Sequence, residues 1–134
     1  MPSPEILYDE ALRLIVWKPR GTLDEAAINE ILADLRRRED AAADPFNRFT
    51  DLTDIEAIEL TFKYVFHVAL HRRLSYAGRP PVKSAFLVTH PQAVHIVKIH
   101  ATMTDHSPLH VEMFEDRAAA AKWLGVPVES LIVP

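Results

Sequence analysis

The sequence contains no cysteine and only three glycines. The absence of cysteine excludes disulfide bonds, thiolate zinc sites, iron–sulfur clusters and cysteine nucleophiles. Three scattered glycines supply no glycine-rich phosphate loop. No apolar run approaches the ~20 residues needed to span a bilayer, and residues 1–6 lack the basic and apolar parts of a secretory signal. We therefore expect a soluble, cytoplasmic protein with no membrane span.

An excess of charge of one sign is also missing. The formal net charge is −4 over 134 residues, and both signs are distributed along the chain. This balance provides no basic surface for nucleic acid or for an anionic membrane. The length and the 49% hydrophobic content are ordinary for one globular domain with a core. We expect a single domain over residues 1–134 that does not bind nucleic acid.

Apolar periodicity in the first half predicts strands at residues 6–8 and 12–17, the second with one apolar and one mixed face. Thr22 and Glu25 have the spacing of a capping box, in which each side chain satisfies a backbone N–H of the other residue. This box predicts a helix that runs to about Glu39. Its apolar stripe comprises Ala27, Ile28, Ile31, Leu32 and Leu35. Residues 41–45, ending at Pro45, connect it to a third strand at residues 48–53.

The second half continues the alternation of helix and strand. Thr61 or Glu59 caps a second helix, and a strand at residues 82–89 has the apolar run of a strand covered on both faces. A third helix runs from Pro91 to about Thr104, and a strand at residues 111–114 precedes a last helix. The core stripe predicted for the second helix comprises Phe62, Val65, Phe66, Ala69 and the stem of Arg73.

The third and last helices carry further apolar positions. One stripe of the third helix comprises Ile96, Ile99 and Met103, and the other comprises Val94, Val97 and Ala101. One stripe should pack on the sheet, which leaves the other for a neighbouring helix, another subunit or a ligand groove. The last helix is bounded by Asp116 as N-cap and Gly125 as left-handed C-cap, with Trp123 as a core anchor. The element order predicts an α/β fold, a mixed, mostly parallel sheet of about five strands packed with about four helices.

These elements resemble the SpoIIAA-like branch of the STAS fold, which is the fold of anti-sigma-factor antagonists and of the cytoplasmic domain of sulfate transporters. The matching stretches are Gly21-Thr-Leu, Asp51-Leu-Thr, Ala85-Phe-Leu-Val before a proline-initiated helix, and the segment from Phe114 to Leu124. The resemblance covers the whole chain and implies a STAS-like fold. Through the related lipid-carrying CRAL-TRIO domains, it also makes a hydrophobic ligand an alternative by analogy.

The sequence departs from the antagonists at their regulatory site. In the antagonists an Asp-Ser pair stands at a helix start, and phosphorylation of that serine breaks binding to a kinase partner. Here Glu59-Leu60 occupies the corresponding place, and Thr61 follows one position later. We therefore expect no phosphorylation switch, and we expect Thr61 to act as a helix N-cap.

Seven histidines are the one chemical oddity of the composition. His67 and His71 lie four residues apart on one helix face, a spacing that can present two imidazoles to one metal ion. No glutamate lies between them, so the pair is not the metalloprotease arrangement. A third ligand would have to come from another element, and the candidates are His95, His100, His106 and His110. We expect a solvated or interfacial pair and no metal or other cofactor.

Two other polar groupings suggest chemistry only superficially. Asp105-His-Ser107 contains the letters of a hydrolase triad, but adjacent residues in one loop cannot normally place nucleophile, base and orienting group in series. Four carboxylates, those of Asp51, Asp54, Glu56 and Glu59, lie near the end of the third strand, where ligands of open α/β sheets bind. Such a run is usually a solvated loop. We therefore do not expect an enzyme.

Two functions remain ahead of catalysis. The leading one is a non-enzymatic STAS-like module that works through protein contacts, as a homo-oligomer such as a dimer, with Thr53 to His71 as the contact surface. The second is a small carrier or sensor of an apolar ligand between the second helix, the third helix and the sheet. A cavity of ~300 Å³ or more lined by Phe62, Phe66, Ile96 and Met103 would favour the carrier, and an exposed apolar helix face over a filled core would favour the contact module. The candidate contact residues are Thr53, Asp54, Glu59, Thr61, His67, His71, Ile96 and Met103.

Overall fold

The structure, a computed structural model, describes residues 6–41 and 46–132. Its strands are β1 (Ile6–Asp9), β2 (Leu14–Trp17), β3 (Gly21–Asp24), β4 (Asn47–Asp51), β5 (Ile55–Glu59), β6 (Val82–Leu87) and β7 (Leu109–Phe114). Its helices are α1 (Glu25–Ala41), α2 (Phe62–Tyr76), α3 (Pro91–Met103), α4 (Arg117–Leu124) and a final 3₁₀ turn (Val128–Leu131). Most of the predicted connection at residues 41–45 lies outside the described residues.

Five strands form the main sheet, in the order β1-β2-β4-β6-β7. Strand β1 pairs antiparallel with β2, and the other neighbours are parallel. The mixed, mostly parallel sheet that the sequence predicts is therefore confirmed. Strands β3 and β5 form a separate two-stranded parallel sheet. The sequence analysis missed β5, because only Ile55 and Ile58 of this strand are buried and its apolar residues do not alternate.

The sheet is covered on both faces, and β2 shows how. Leu14 and Val16 pack into the cluster formed with α4, whereas Ile15 and Trp17 pack into the cluster formed with α1 and α3. All four residues are buried. The polar member of the predicted mixed face, Arg13, precedes β2. Ile15 and Trp17 of that face are buried, because side chains of alternating direction meet helices on each side of the sheet.

The start of α1 differs from the predicted capping box. Thr22 lies in β3, where it is the register partner of Ala57 in β5. The helix begins at Glu25, and Asp24 Oδ1 accepts a hydrogen bond from the Ala27 N–H at 2.9 Å. The capping box is therefore wrong, because pairing with β5 holds Thr22 in a strand. The predicted apolar stripe is confirmed, since all five of its members belong to the core or pack against it.

Helix α2 is rotated relative to the predicted core stripe. Val65 and Ala69 are buried as predicted, but Phe62 is 64% exposed and Phe66 is 39% exposed. Arg72 is buried in their place. The prediction for the two phenylalanines is wrong because α2 has apolar side chains around most of its circumference, so periodicity could not select the face that meets the sheet.

The last two helices follow the predicted boundaries closely. In α3 the buried residues are Ala93 and Val97. In α4, Asp116 Oδ1 accepts from the Ala118 N–H at 3.1 Å, and Gly125 adopts the left-handed conformation with φ +74°. Trp123 is only partly buried and lies beside Phe114 at the edge of the core, with 5.6 Å between ring centroids. The core anchor of this helix is instead the neighbouring residue Leu124, which is buried.

Within the described part of the chain, no helix combines the length and the apolar character needed to cross a bilayer.

Truncation of Leu124 and of Trp123 should distinguish the core anchor from the residue at the edge of the core. We expect Leu124→Ala to lower the free energy of unfolding by about 3 kcal/mol, because it removes a fully packed side chain. Trp123→Ala should cost about half as much, since part of the indole is already exposed and only the remaining contacts are lost. Chemical denaturation of both variants measures the two losses of unfolding free energy. A larger loss in Trp123→Ala than in Leu124→Ala would contradict the assignment of Leu124 as the anchor.

Candidate functional site

A partly open cavity of about 130 Å³ lies between α1, α2, α3 and one face of the main sheet. We call it the inner cavity. Its walls are mostly leucine, isoleucine, valine and aromatic side chains contributed by all three helices. The polar side chains among its lining residues are Arg48, Thr50, Arg72, Ser84 and His100, with Tyr64 at one side. An apolar pocket with a few polar groups is the usual composition of a small-molecule site.

The floor of the inner cavity is set by strand register. Arg48 in β4 is the register partner of Ser84 in β6, and Thr50 is the partner of Phe86. Successive side chains of a strand point to opposite faces, so Arg48 and Thr50 share the face that meets α1, α2 and α3. Two interior strands therefore present polar groups to a space that is otherwise apolar.

The guanidinium of Arg48 is compensated by a carboxylate from α1. Arg48 Nη2 lies 2.9 Å from Glu39 Oε2, and both residues are buried. Arg48 also donates to the carbonyl oxygen of Phe46 at 3.2 Å, while the Phe46 N–H donates to Glu39 at 3.3 Å. A buried charge is tolerated when it is paired and hydrogen-bonded in this way.

His100, on α3, is one of the polar residues that line the inner cavity. Burial, together with the nearby charge of Arg48, lowers the pKa of His100 from 6.5 to about 4. Its ring meets that of Phe86 edge to face, with 6.1 Å between centroids. At neutral pH the imidazole is uncharged, so it contributes a hydrogen-bonding group to the cavity without a charge.

A larger outer cleft of about 680 Å³ lies between α1 and α2. It shares Leu32, Val68 and Arg72 with the inner cavity. Its remaining lining residues are Asn29, Ala33, Arg36, Glu39, His67, His71, Ser75 and Arg79. The shared residues make the two spaces adjacent, with an apolar interior and a polar, mostly basic outer part.

Tyr64 joins the two helices that border the outer cleft. Its hydroxyl donates to Asn29 Oδ1 at 2.6 Å and lies 3.3 Å from the carbonyl oxygen of Glu25. Burial, with the charge of the Glu25 carboxylate, raises the pKa of Tyr64 above its usual value of 10.0. The phenol therefore keeps its proton and remains a donor across the helix pair at neutral pH.

The candidate residues of the sequence analysis fall into separate regions. Ile96 lines the inner cavity, and His67 and His71 line the outer cleft. Met103, at the end of α3, and Glu59, at the end of β5, line neither space. The structure thus brings two of the candidates to the outer cleft and one to the inner cavity.

Thr53 and Asp54 lie beyond β4, around a buried carboxylate. The Thr53 N–H and hydroxyl both donate to Asp51 Oδ1, at 2.9 and 2.6 Å, and Arg117 donates to Asp51 Oδ2 at 2.7 Å. Burial alone would raise the pKa of Asp51, but the hydrogen bonds from Thr53 and Arg117 outweigh it and lower the pKa below its usual value. Asp54 lies 3.5 Å from Lys18 Nζ. These contacts fix the loop between β4 and β5 to the sheet.

The histidine pair has no third ligand nearby in the described part of the chain, where no group of three or more metal-binding side chains is close enough to hold an ion. His67 and His71 are both exposed. The expectation that this protein uses no metal stays a prediction.

A row of exposed apolar side chains follows the outer surface of α2. We call it the α2 stripe, and it consists of Phe62, Phe66, Leu70 and Leu74, which are 64%, 39%, 39% and 68% exposed. The residues are spaced four apart, so neighbours along the stripe touch. The rings of Phe62 and Phe66 have centroids 6.4 Å apart. The stripe lies on a different face of the helix from Val65, Val68 and Arg72, which line the inner cavity.

Sequence reasoning missed the polar members of the inner cavity. Arg48 and Thr50 are two residues apart in a predicted strand, which is the spacing that places them on one face. A charged residue inside a strand flanked by other strands was therefore an available signal. Arg72 carried no such signal, because arginines on helices usually face solvent.

Comparisons with known proteins identify the fold. No protein-family model matches the sequence, and no curated protein matches it significantly. The structure is similar to that of an uncharacterised protein of the DUF3478 family from Shewanella loihica PV-4, which has a SpoIIAA-like fold. The TM-score is 0.58 at 15% sequence identity, and the match covers 89% of this chain and 90% of that chain. The chain therefore has a SpoIIAA-like α/β fold, as the sequence resemblance implied.

The pKa of His100 predicts a specific loss of stability in acid. The pKa of His100 is about 4 in the folded protein and the usual pKa of a histidine is 6.5, so the unfolded chain takes up this proton first as the pH falls. The lowered pKa of His100 contributes to folding stability in full above the pKa of the unfolded chain, and this contribution is lost between pH 6.5 and about 4. Between pH 7 and 4, wild type should lose about 2–3 kcal/mol more unfolding free energy than His100→Gln. Urea denaturation at several pH values measures this difference. The assignment would be refuted if the unfolding free energies of the two proteins fell equally between pH 7 and 4.

Thr61 is the N-cap of α2, and its Oγ1 accepts from the Tyr64 N–H at 3.0 Å. We expect Thr61→Ala to cost about 1 kcal/mol of unfolding free energy, because a backbone donor of the first turn loses its partner. Ser75→Ala, at an exposed position of the same helix, should change stability by less than about 0.5 kcal/mol. Equal losses in the two variants would show that the cap contributes nothing.

Proposed function

We propose that this chain is a non-enzymatic regulatory or interaction module that acts through protein contacts, with the α2 stripe as its contact surface and a second copy of the chain as its partner. The observation that carries the proposal is the exposure of four large apolar side chains in one row on one helix. Single exposed apolar residues are ordinary, but a contiguous row of them usually marks an interaction surface.

The stripe has the composition of the centre of an interface. Phenylalanine is enriched in interface cores, and Phe62 and Phe66 already pack against each other on the free surface. Lys63 and His67, which are exposed and lie beside the stripe on α2, supply polar positions of the kind found at an interface rim.

A two-fold arrangement suits a stripe that lies on a single helix. In a symmetric dimer the same surface packs on itself, so the stripe of one copy would lie antiparallel to the stripe of the other. Side chains spaced four residues apart form a ridge that fits the groove of a facing helix. Such packing would cover Phe62 of one copy with Leu74 of the other.

The inner cavity bears on the choice between contact module and carrier. Its volume of about 130 Å³ is well below the ~300 Å³ expected of a carrier, and Phe62, Phe66 and Met103 do not line it. The exposed stripe is the feature that the contact module requires. The geometry therefore supports the contact module better.

An enzymatic function has little support from the one triad-like grouping. Ser107 Oγ donates to the carbonyl oxygen of Thr104 at 2.6 Å, and His106 Nε2 lies 3.4 Å from Asp105 on the surface. The serine is thus engaged with the backbone, and it is not paired with the imidazole that would have to act as its base.

Phe62→Asp should convert a dimer into a monomer. The substitution places a charge within an apolar contact, and the desolvation of that charge opposes association. Ile132→Asp is the matched control, because Ile132 is apolar and 55% exposed but lies near the carboxyl terminus. Size-exclusion chromatography with light scattering should find dimers for wild type and Ile132→Asp and monomers for Phe62→Asp.

Thermal denaturation of each protein at fixed concentration accompanies this measurement, so that unfolding is not mistaken for dissociation. The proposal fails if wild type is monomeric at about 100 μM, a concentration far above the Kd of a stable homodimer. It also fails if folded Phe62→Asp remains dimeric.

A further inference from the structure

The inner cavity and the outer cleft are adjacent spaces between α1 and α2, one apolar and one polar. Leu32, Val68 and Arg72 belong to both linings. We propose that the two spaces together bind a small amphipathic anion, a carboxylate whose short alkyl chain or aromatic ring enters the inner cavity while its charge stays in the outer cleft. The proposal goes beyond the contact function, since it concerns a different face of α2.

The size of the inner cavity limits the size of the apolar group that the ligand carries. Its volume of about 130 Å³ is close to that of an engineered apolar cavity of about 150 Å³ that binds benzene in another protein. A ring or a short alkyl chain therefore fits, whereas a complete long-chain lipid does not. Burial of such a group among leucine, isoleucine and valine side chains supplies the favourable free energy of binding.

The charge of the outer cleft determines which polar group the ligand carries. Arg36, Arg72 and Arg79 line it, and Glu39 is the one acidic residue among the described residues of its lining. The Glu39 carboxylate is already paired with Arg48 at 2.9 Å, so it offers little opposition to an anion. A guanidinium carries five N–H donors, so an arginine that has one partner can still bind a carboxylate.

Asp34, the acidic residue two positions before Arg36 on α1, already has partners. It is occupied by Arg37 and Arg38, at 2.8 and 2.9 Å. Arg36 is exposed, which allows its side chain to reach an anion at the entrance. Its substitution therefore perturbs the buried structure less than that of Arg72, which is buried.

The orientation of the ligand follows from desolvation. A carboxylate placed in the inner cavity would lose its hydration in a mostly apolar space, which is costly even beside a compensated arginine. The same carboxylate in the outer cleft keeps part of its hydration and meets exposed arginines. Thr50, Ser84 and neutral His100 then lie at the apolar end, where they can bind a hydroxyl group of the ligand or an ordered water.

The proposal is tested with three probes: octanoate, octan-1-ol and inorganic phosphate. Titration calorimetry measures affinity, and amide and methyl shifts in NMR spectra report the place of binding. Octanoate should bind at least about tenfold more tightly than octan-1-ol or phosphate, because only octanoate uses both the cavity and the arginines. Its shifts should centre on Leu32, Val68 and Ile96.

Two charge variants test the head group. Arg36→Glu should weaken octanoate binding at least about fivefold and leave octan-1-ol unchanged, since one attractive charge becomes repulsive. Arg37→Glu introduces the same charge at the next position of α1, where the side chain is 77% exposed and does not line the cleft. It should retain most of the affinity for octanoate.

Two filling variants test the inner cavity. Val68→Trp should weaken both octanoate and octan-1-ol binding at least about tenfold, because the indole occupies the space of the alkyl chain. Leu32→Phe fills the same space from α1 and serves if Val68→Trp does not fold. Phe62→Asp, which alters only the α2 stripe, should bind octanoate as wild type does.

Four results would overturn the proposal. The first is no octanoate binding at concentrations up to about 10 mM, which is weaker than any useful small-ligand site. The second is equal binding of octanoate and octan-1-ol or of octanoate and phosphate. The third is an equal loss of octanoate affinity in Arg36→Glu and Arg37→Glu. The fourth is unchanged binding in a folded filling variant. Loss of dimerisation in Phe62→Asp bears only on the contact function, so the two proposals fail separately.

Discussion

The interior strand β4 carries opposite charges on its two faces, and the arrangement of the helices depends on compensating both. Arg48 and Asp51 are three residues apart, so their side chains point to opposite sides of the sheet. Glu39 from α1 pairs with Arg48 on one side, and Arg117 from α4 pairs with Asp51 on the other. Each pair therefore fixes one helical layer to the centre of the sheet, since breaking either one would leave a buried charge unpaired.

The polar floor on the Arg48 side also explains why a space remains there. A well-packed apolar core needs complementary apolar side chains, but Arg48, Thr50 and Ser84 occupy adjacent floor positions of β4 and β6. On the opposite face, Phe49 and Ala85 pack directly with α4. The same two strands thus build a filled core on one side and the inner cavity on the other, solely through the alternation of their side chains.

Helix α2 presents apolar side chains both to the inner cavity and to solvent, because it is apolar around most of its circumference. Val65 and Val68 contribute to the wall of the inner cavity, while Phe62 and Leu74 are left in solvent. In an ordinary surface helix the polar face meets water. In α2 an apolar face meets water instead, and this exposure distinguishes one surface of the SpoIIAA-like fold from the others. Fold alone would not have indicated a function.

Local signals in the sequence determined most of the element types, the mostly parallel sheet and the caps of α2 and α4, because hydrogen bonds within a few residues and apolar periodicity act without the rest of the chain. Thr61 and Asp116 are examples, since each caps the helix that directly follows it. Tertiary structure alone decided the pairing of Thr22 with β5 and the face that α2 turns to the sheet. It also decided the pairing of Arg48 with Glu39 and the meeting of Arg48 with Arg72 at the inner cavity. These outcomes depend on contacts between distant segments, where one apolar face competes with another for the same sheet, and no local pattern contains the result of that competition.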